Sequence, residues 1–84
     1  MINILFFARI REQLGTGSWQ VVWDDNVDNV DRLIQSLVAA KGTKWSEALQ
    51  ADNVVVAVNQ QVANRQTSLV AGDEVAFFPP VTGG

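Results

Sequence analysis

Residues 72–84 read GDEVAFFPPVTGG, and this stretch shows where the last strand of the fold ends. Gly72-Asp73 is typical of a turn, and Glu74–Phe78 has the apolar character of a strand. The two prolines that follow have no amide hydrogen to donate to a strand ladder, so the strand must end before them. Consecutive prolines also favour an extended, stiff backbone. We therefore predict a strand and then an extended tail over residues 79–84.

The N-terminal run INILFFA, residues 2–8, predicts another strand. Because the run is apolar at nearly every position, we expect both of its faces to be covered. Residues 9–17 are predicted to form a loop, with Gly15 and Gly17 as turn residues. The segment SWQVVWD, residues 18–24, is predicted to return as an antiparallel strand, which makes a hairpin.

An amphipathic helix is predicted after this hairpin. Apolar residues recur there at steps of three and four, as on one face of a helix, at Val27, Val30, Leu33, Ile34, Leu37 and Val38. Asn26 is the expected N-cap and Gly42 the expected residue after the helix. A short second helix is predicted over residues 43–50, with Trp45 and Leu49 facing inward. A strand over 54–59 and a very short strand within 59–66 complete the pattern.

This order of elements, β-β-α-β-(β)-β, favours an α+β fold in which one main helix crosses one face of a mixed sheet. It matches the β-grasp, or ubiquitin-like, arrangement, in which the N- and C-terminal strands form the central pair. We expect a single domain over residues 1–78, with the tail over residues 79–84 outside it.

The composition excludes several classes of function. The net charge of −3 disfavours nucleic acid as a partner. The chain has no cysteine and no histidine, so a disulfide, the usual metal sites and a thiolate or imidazole catalyst are all excluded. No apolar run approaches the ~20 residues that span a bilayer, and MINILFFARIR lacks the basic front of a signal peptide. We expect a cytoplasmic protein that binds no metal and no cofactor.

The first and last strands carry more apolar residues than one helix can cover. If Ile4, Phe6, Val75 and Phe77 face the helix, then Leu5, Phe7, Ala76 and Phe78 face away from it, and Val62 can join them. Such an exposed patch is typical of a protein interface. The alternatives are that residues 9–17 fold over the patch, or that the two faces are assigned the wrong way round. Asp73-Glu74 is interpreted as part of a turn.

The tail has the properties of an arm that enters another protein's active site. Val81 offers an apolar grip and Thr82 a hydroxyl, whereas Gly83 and Gly84 fit a channel too narrow for side chains. A terminal carboxylate is a poor electrophile until it is activated, for example as an acyl-adenylate. The chain itself brings no nucleophile or base, so another protein must supply the catalysis. The alternative is an inert, frayed terminus.

Three stretches carry a family resemblance: LFFARIRE (5–12), AVNQ (57–60) and GDEVAFFPPVTGG (72–84). The sequence resembles the small subunit of molybdopterin synthase, the MoaD family of ubiquitin-like sulfur carriers. The resemblance implies that a MoeB-like adenylating enzyme uses ATP to activate the carboxylate of Gly84, and that a sulfur donor converts it to a thiocarboxylate. It further implies that the tail enters the large (MoaE-like) subunit of a heterotetramer, where the sulfur passes to cyclic pyranopterin monophosphate to build the dithiolene.

The resemblance also implies which residues act. Gly84 is the reactive position and Gly83 its slim neighbour, and the residues implied at the partner interface are Phe7, Arg11, Val62, Phe78, Pro79, Pro80, Val81 and Thr82. Arg11 can equally be an ordinary solvated arginine. Three alternatives stay open: a sulfur carrier for thiamine or tRNA thiolation, a ubiquitin-like modifier that conjugates to lysines, and an interaction module with an inert tail.

Overall fold

The computed structural model describes residues 1–79, so the predicted contributions of Pro80, Val81, Thr82, Gly83 and Gly84 lie outside the described residues. Within residues 1–79 there are five strands and three α-helices. The strands are β1 (Ile2–Phe6), β2 (Ser18–Val21), β3 (Val55–Val58), β4 (Gln61–Ala63) and β5 (Glu74–Phe78). The helices are α1 (Ala8–Leu14), α2 (Val30–Lys41) and α3 (Thr43–Leu49), and a 3₁₀ turn covers Asp25–Val27.

The five strands form one mixed sheet in the order β2-β1-β5-β3-β4. β1 and β5 are parallel, with Ile4 opposite Val75 and Phe6 opposite Phe77, whereas every other neighbouring pair is antiparallel. The parallel pair requires a long crossover connection, which the helices and the β3–β4 hairpin provide. The predicted α+β fold and the central position of the first and last strands are confirmed.

The core lies between the sheet and α2. Ile4, Phe6, Val75 and Phe77 are fully buried there, packed against one side of α2 that contributes Leu33, Ile34 and Leu37. The predicted assignment of these four strand residues to the helix side of the sheet is therefore correct. Trp45 and Leu49 of α3 are also buried, as predicted, and the Trp45 ring meets Phe6 edge-on at 5.3 Å between centroids.

Residues 9–17 were expected to be a loop, and this expectation is wrong. Residues 8–14 form α1, which buries Ile10 and Leu14 and ends at Gly15 in the left-handed conformation, with φ of 74°. Two buried residues one turn apart are too weak a pattern to reveal so short a helix. The predicted antiparallel pairing of the first two strands is confirmed, because β1 and β2 pair in this way although α1 lies between them in the chain.

The start of the main helix was also placed too early. α2 begins at Val30, and Asn29 is its N-cap, since the Asn29 Oδ1 accepts a hydrogen bond from the Arg32 amide at 2.8 Å. Asn26 instead lies inside the 3₁₀ turn and donates its amide to Asp24 Oδ1 at 2.8 Å. The apolar spacing continues from the turn into α2, and this continuity explains the error.

Across residues 1–79, none of the helices combines the length and the apolar character that crossing a bilayer would require.

Candidate functional site

The sheet face turned away from α2, here called the outer face, is open to solvent at one end. Strand alternation directs Leu5, Ala76 and Phe78 to this face. Val62 of β4 lies opposite Ala57 of β3 and points the same way. Val62 is 82% exposed, so it adds an open aliphatic surface to this face. The structure therefore confirms that these residues face away from the helix.

Two phenylalanine rings stack at this end of the outer face. Phe7 follows β1 and keeps the sheet register, because its amide donates to the Phe77 carbonyl at 3.2 Å. Its ring lies parallel to that of Phe78, with 4.7 Å between centroids and 3° between planes. Phe7 remains 39% exposed even so. The stack holds both rings in one orientation and leaves an aromatic surface available for contact.

An open hollow of about 400 Å³ lies beside the two rings. Its lining, here called the apolar patch, consists of Phe7, Ala8, Val55, Ala57, Val62, Phe78 and Pro79. Because Pro79 belongs to this lining, the apolar patch reaches the point where the chain leaves β5. The apolar patch therefore adjoins Pro79, the last residue that the structure describes.

The alternative that residues 9–17 cover the two phenylalanines is excluded. The helix α1 directs Ile10 and Leu14 into the core on the other side of the sheet and packs against α3. Arg11, which was predicted at the partner interface, is exposed on α1 and does not line the hollow. Its side chain lies over Gly17, where an added Cβ would be 3.1 Å from the Arg11 Nε.

Three residues of the apolar patch were missed in the sequence: Ala8, Val55 and Ala57. The strand VVVAV is apolar at every position, so its pattern could not show which residues face outward. Ala8 directly follows Phe7 and has a positive φ of 52°, which turns the chain from β1 into α1. For a residue with a Cβ this left-handed conformation is strained.

The other end of the outer face is polar. Gln20 donates from Nε2 to Asn3 Oδ1 at 2.7 Å across β1 and β2. A second hollow of about 400 Å³ adjoins the apolar patch and continues to Gln60 and Glu74. The polarity of the outer face therefore changes along β5, from aromatic residues beside Pro79 to polar residues at the start of the strand.

Comparisons with known proteins agree with this arrangement. The model of the ThiS family matches residues 4–84. The chain is 45% identical over 84 residues to the molybdopterin synthase sulfur carrier subunit of Escherichia coli K12, and all of both chains is covered.

Solved structures share the fold. SAMP1 of Haloferax volcanii superimposes with a TM-score of 0.77 at 29% identity, covering 99% of this chain and 98% of that one. A chain from the complex of subunits 1 and 2 of the molybdopterin-converting factor of Helicobacter pylori gives a TM-score of 0.67 at 23% identity, covering 99% and 97%, and so shares the fold. The β-grasp prediction is thus confirmed, and the chain belongs to the ThiS family, among relatives that are molybdopterin synthase sulfur carrier subunits.

Proposed function

We propose that this chain is the sulfur carrier subunit of molybdopterin synthase. It receives sulfur as a thiocarboxylate on Gly84 and donates that sulfur to cyclic pyranopterin monophosphate in the active site of the large subunit. Because the dithiolene contains two sulfur atoms, each molecule of product consumes two loaded carriers. The chain is thus a co-substrate within a sulfurtransferase complex and has no catalytic activity alone.

The observation that carries this proposal is the position of the apolar patch. It lies beside Pro79. We infer that a partner that covers the apolar patch also takes up the C-terminal segment that carries Gly83 and Gly84. Docking makes the transfer of sulfur effectively intramolecular, which favours the reaction by holding the reacting groups together. In this proposal Phe7, Val62 and Phe78 dock the carrier.

The sequence restricts how sulfur can be held. The chain contains no cysteine, so it cannot carry sulfur as a persulfide. A carboxylate can carry it after activation. In the proposed sequence, a MoeB-like adenylating enzyme transfers AMP from ATP to the Gly84 carboxylate and releases pyrophosphate. A sulfur donor then displaces AMP and leaves the thiocarboxylate.

The proposed partners follow from these steps. The adenylating enzyme binds ATP, whereas the carrier binds no cofactor of its own. The large subunit supplies the acid–base groups for the transfer, since this chain has no histidine or cysteine to do so. The Helicobacter pylori protein forms a complex of subunits 1 and 2, and we propose that this chain likewise joins a large subunit, in a heterotetramer of two carriers and two large subunits. Because activation consumes ATP, we place the chain in the cytoplasm.

The intact mass of the chain tests this function. The chain is incubated with a MoeB-like adenylating enzyme, ATP and sulfide, and we expect the mass increase that replacing one oxygen by sulfur produces, located at Gly84. A chain that lacks Gly84 is the matched control and should keep its mass. Addition of the large subunit and cyclic pyranopterin monophosphate should then restore the original mass.

The same experiment separates the alternatives. An unchanged mass, with an adenylating enzyme that is active on another carrier, would refute the carrier function and leave an interaction module with an inert tail. A conjugate in which Gly84 is joined to a lysine of another protein would instead indicate a modifier.

A further inference from the structure

Glu74 is the one charged residue among the outward positions of the five described strands. The others are neutral: Asn3, Leu5, Ser18, Gln20, Val55, Ala57, Val62, Ala76 and Phe78. Glu74 is half-buried and lines the second hollow of the outer face, together with Leu5, Gln60 and Ala76. A carboxylate therefore lies next to the apolar surface that the proposed function assigns to docking.

The carboxylate of Glu74 has no partner within residues 1–79. The ion pairs of that range are Arg32 with Asp28 and Arg65 with Asp31, neither of which lies on the outer face. The neighbouring Asp73 differs, because both of its oxygens are used within the fold. Its Oδ1 accepts from Asn59 Nδ2 at 3.0 Å, and its Oδ2 accepts from the Val70 amide at 2.9 Å. Asp73 thus stabilises the turn, whereas the Glu74 carboxylate makes no hydrogen bond or ion pair with the described residues.

Docking would remove water from this carboxylate. A buried, unpaired charge is costly, whereas a charge that meets an opposite charge with good geometry is not. We propose that the large subunit presents an arginine or lysine side chain to Glu74, as the polar end of an otherwise apolar contact. This inference rests on the proposed function and adds a chemical requirement on the partner's surface.

The pair would set the orientation of the carrier. Apolar contact has no direction, so the apolar patch alone permits rotation on a flat partner surface. Glu74 and Phe78 are the first and last residues of β5, about 13 Å apart at 3.3 Å per residue. An ion pair at one end and the aromatic stack at the other define a line along β5, and two such contacts fix the orientation of the carrier on its partner.

Titration calorimetry of the carrier against the purified large subunit tests the inference, with Glu74→Gln and Glu74→Lys as variants. The backbone bonds of Glu74 are kept in both. Asp25→Asn is the matched control, because it removes an exposed carboxylate from the turn before α2. We expect Glu74→Gln to weaken binding about tenfold or more, Glu74→Lys to weaken it further, and the control to bind like the wild type.

Salt dependence gives a second readout that a structural defect would not reproduce. The affinity of the wild type should fall more steeply with added NaCl than that of Glu74→Gln, since one ion pair is lost. If Glu74→Gln binds as tightly as the wild type at low salt, the inference is overturned while the proposed function stands. If the wild-type chain itself does not bind the large subunit, the proposed function is overturned and the inference with it.

Discussion

Phe77 and Phe78 are neighbours in β5 with opposite roles, and truncating each in turn separates folding from docking. Phe77 is 0% exposed and lies 6.0 Å from the Phe6 ring in the core. Phe77→Ala would leave a cavity and should lower the free energy of unfolding by about 3–5 kcal/mol. Phe78 is half-buried on the outer face and stacks only on Phe7 among the described aromatic rings. Phe78→Ala should therefore cost about 0.5–1.5 kcal/mol of stability.

For binding to the large subunit we expect the opposite order, in which the substitution at Phe78 has a larger effect than the substitution at Phe77. A central aromatic residue of an interface commonly contributes about 2 kcal/mol or more, so Phe78→Ala should weaken docking about thirtyfold. Urea unfolding gives the stabilities, and titration calorimetry gives the affinities. The conservative variant Phe77→Leu, chosen because it keeps the chain folded, should bind like the wild type. The assignment of the two faces is refuted if Phe78→Ala destabilises the fold as much as Phe77→Ala, or if it binds unchanged.

Three further substitutions test local features. Gln60 has a φ of 69° in the β3–β4 turn, so Gln60→Gly should raise the free energy of unfolding by about 0.5–1 kcal/mol in urea, and a decrease would contradict the strain. Asn29→Ala removes the N-cap of α2 and should lower the free energy of unfolding by about 1 kcal/mol. An unchanged free energy of unfolding would disprove the cap. Ala8→Gly relieves the backbone strain but removes a methyl group from the apolar patch. The urea midpoint of unfolding should therefore rise while the affinity for the large subunit falls. A rise or a fall of both quantities together would argue against this interpretation.

The strands could be predicted from the sequence because their apolar residues come in short runs bounded by turn residues. Glu74–Phe78 was predicted with both ends correct, since Gly72-Asp73 precedes it and a proline follows. The short helix α1 escaped prediction because only Ile10 and Leu14 mark its buried side. The start of α2 was misplaced because a 3₁₀ turn continues the same apolar spacing. Such local hydrogen bonding does not follow from periodicity alone.

The outward positions of Phe7 and Phe78 followed from alternation along two strands and from the excess of apolar residues over one helix. The remainder of the site depends on register between strands, which the sequence does not specify. The pairing of Val55 with Phe78 places β3 beside the aromatic stack, and the pairing of Ala57 with Val62 adds β4 to the same face. Glu74 was predicted as the first residue of the last strand, but its carboxylate was interpreted with that of Asp73 as part of a turn. In the structure the Asp73 carboxylate accepts hydrogen bonds from Asn59 and Val70, whereas Glu74 begins β5.

This division of β5 has a consequence for how the docking surface can vary. The core side, with Val75 and Phe77, contributes to the stability of the whole sheet, so substitutions there strongly lower the free energy of unfolding. The outer side, with Glu74 and Phe78, is half-buried in the free chain and contributes much less. An exposed aromatic stack is also a risk for self-association, and a single charge on the same face counteracts that risk while the carrier is free. The same charge becomes a cost in any complex that does not offer a cation, so Glu74 selects against partners that match only the apolar patch.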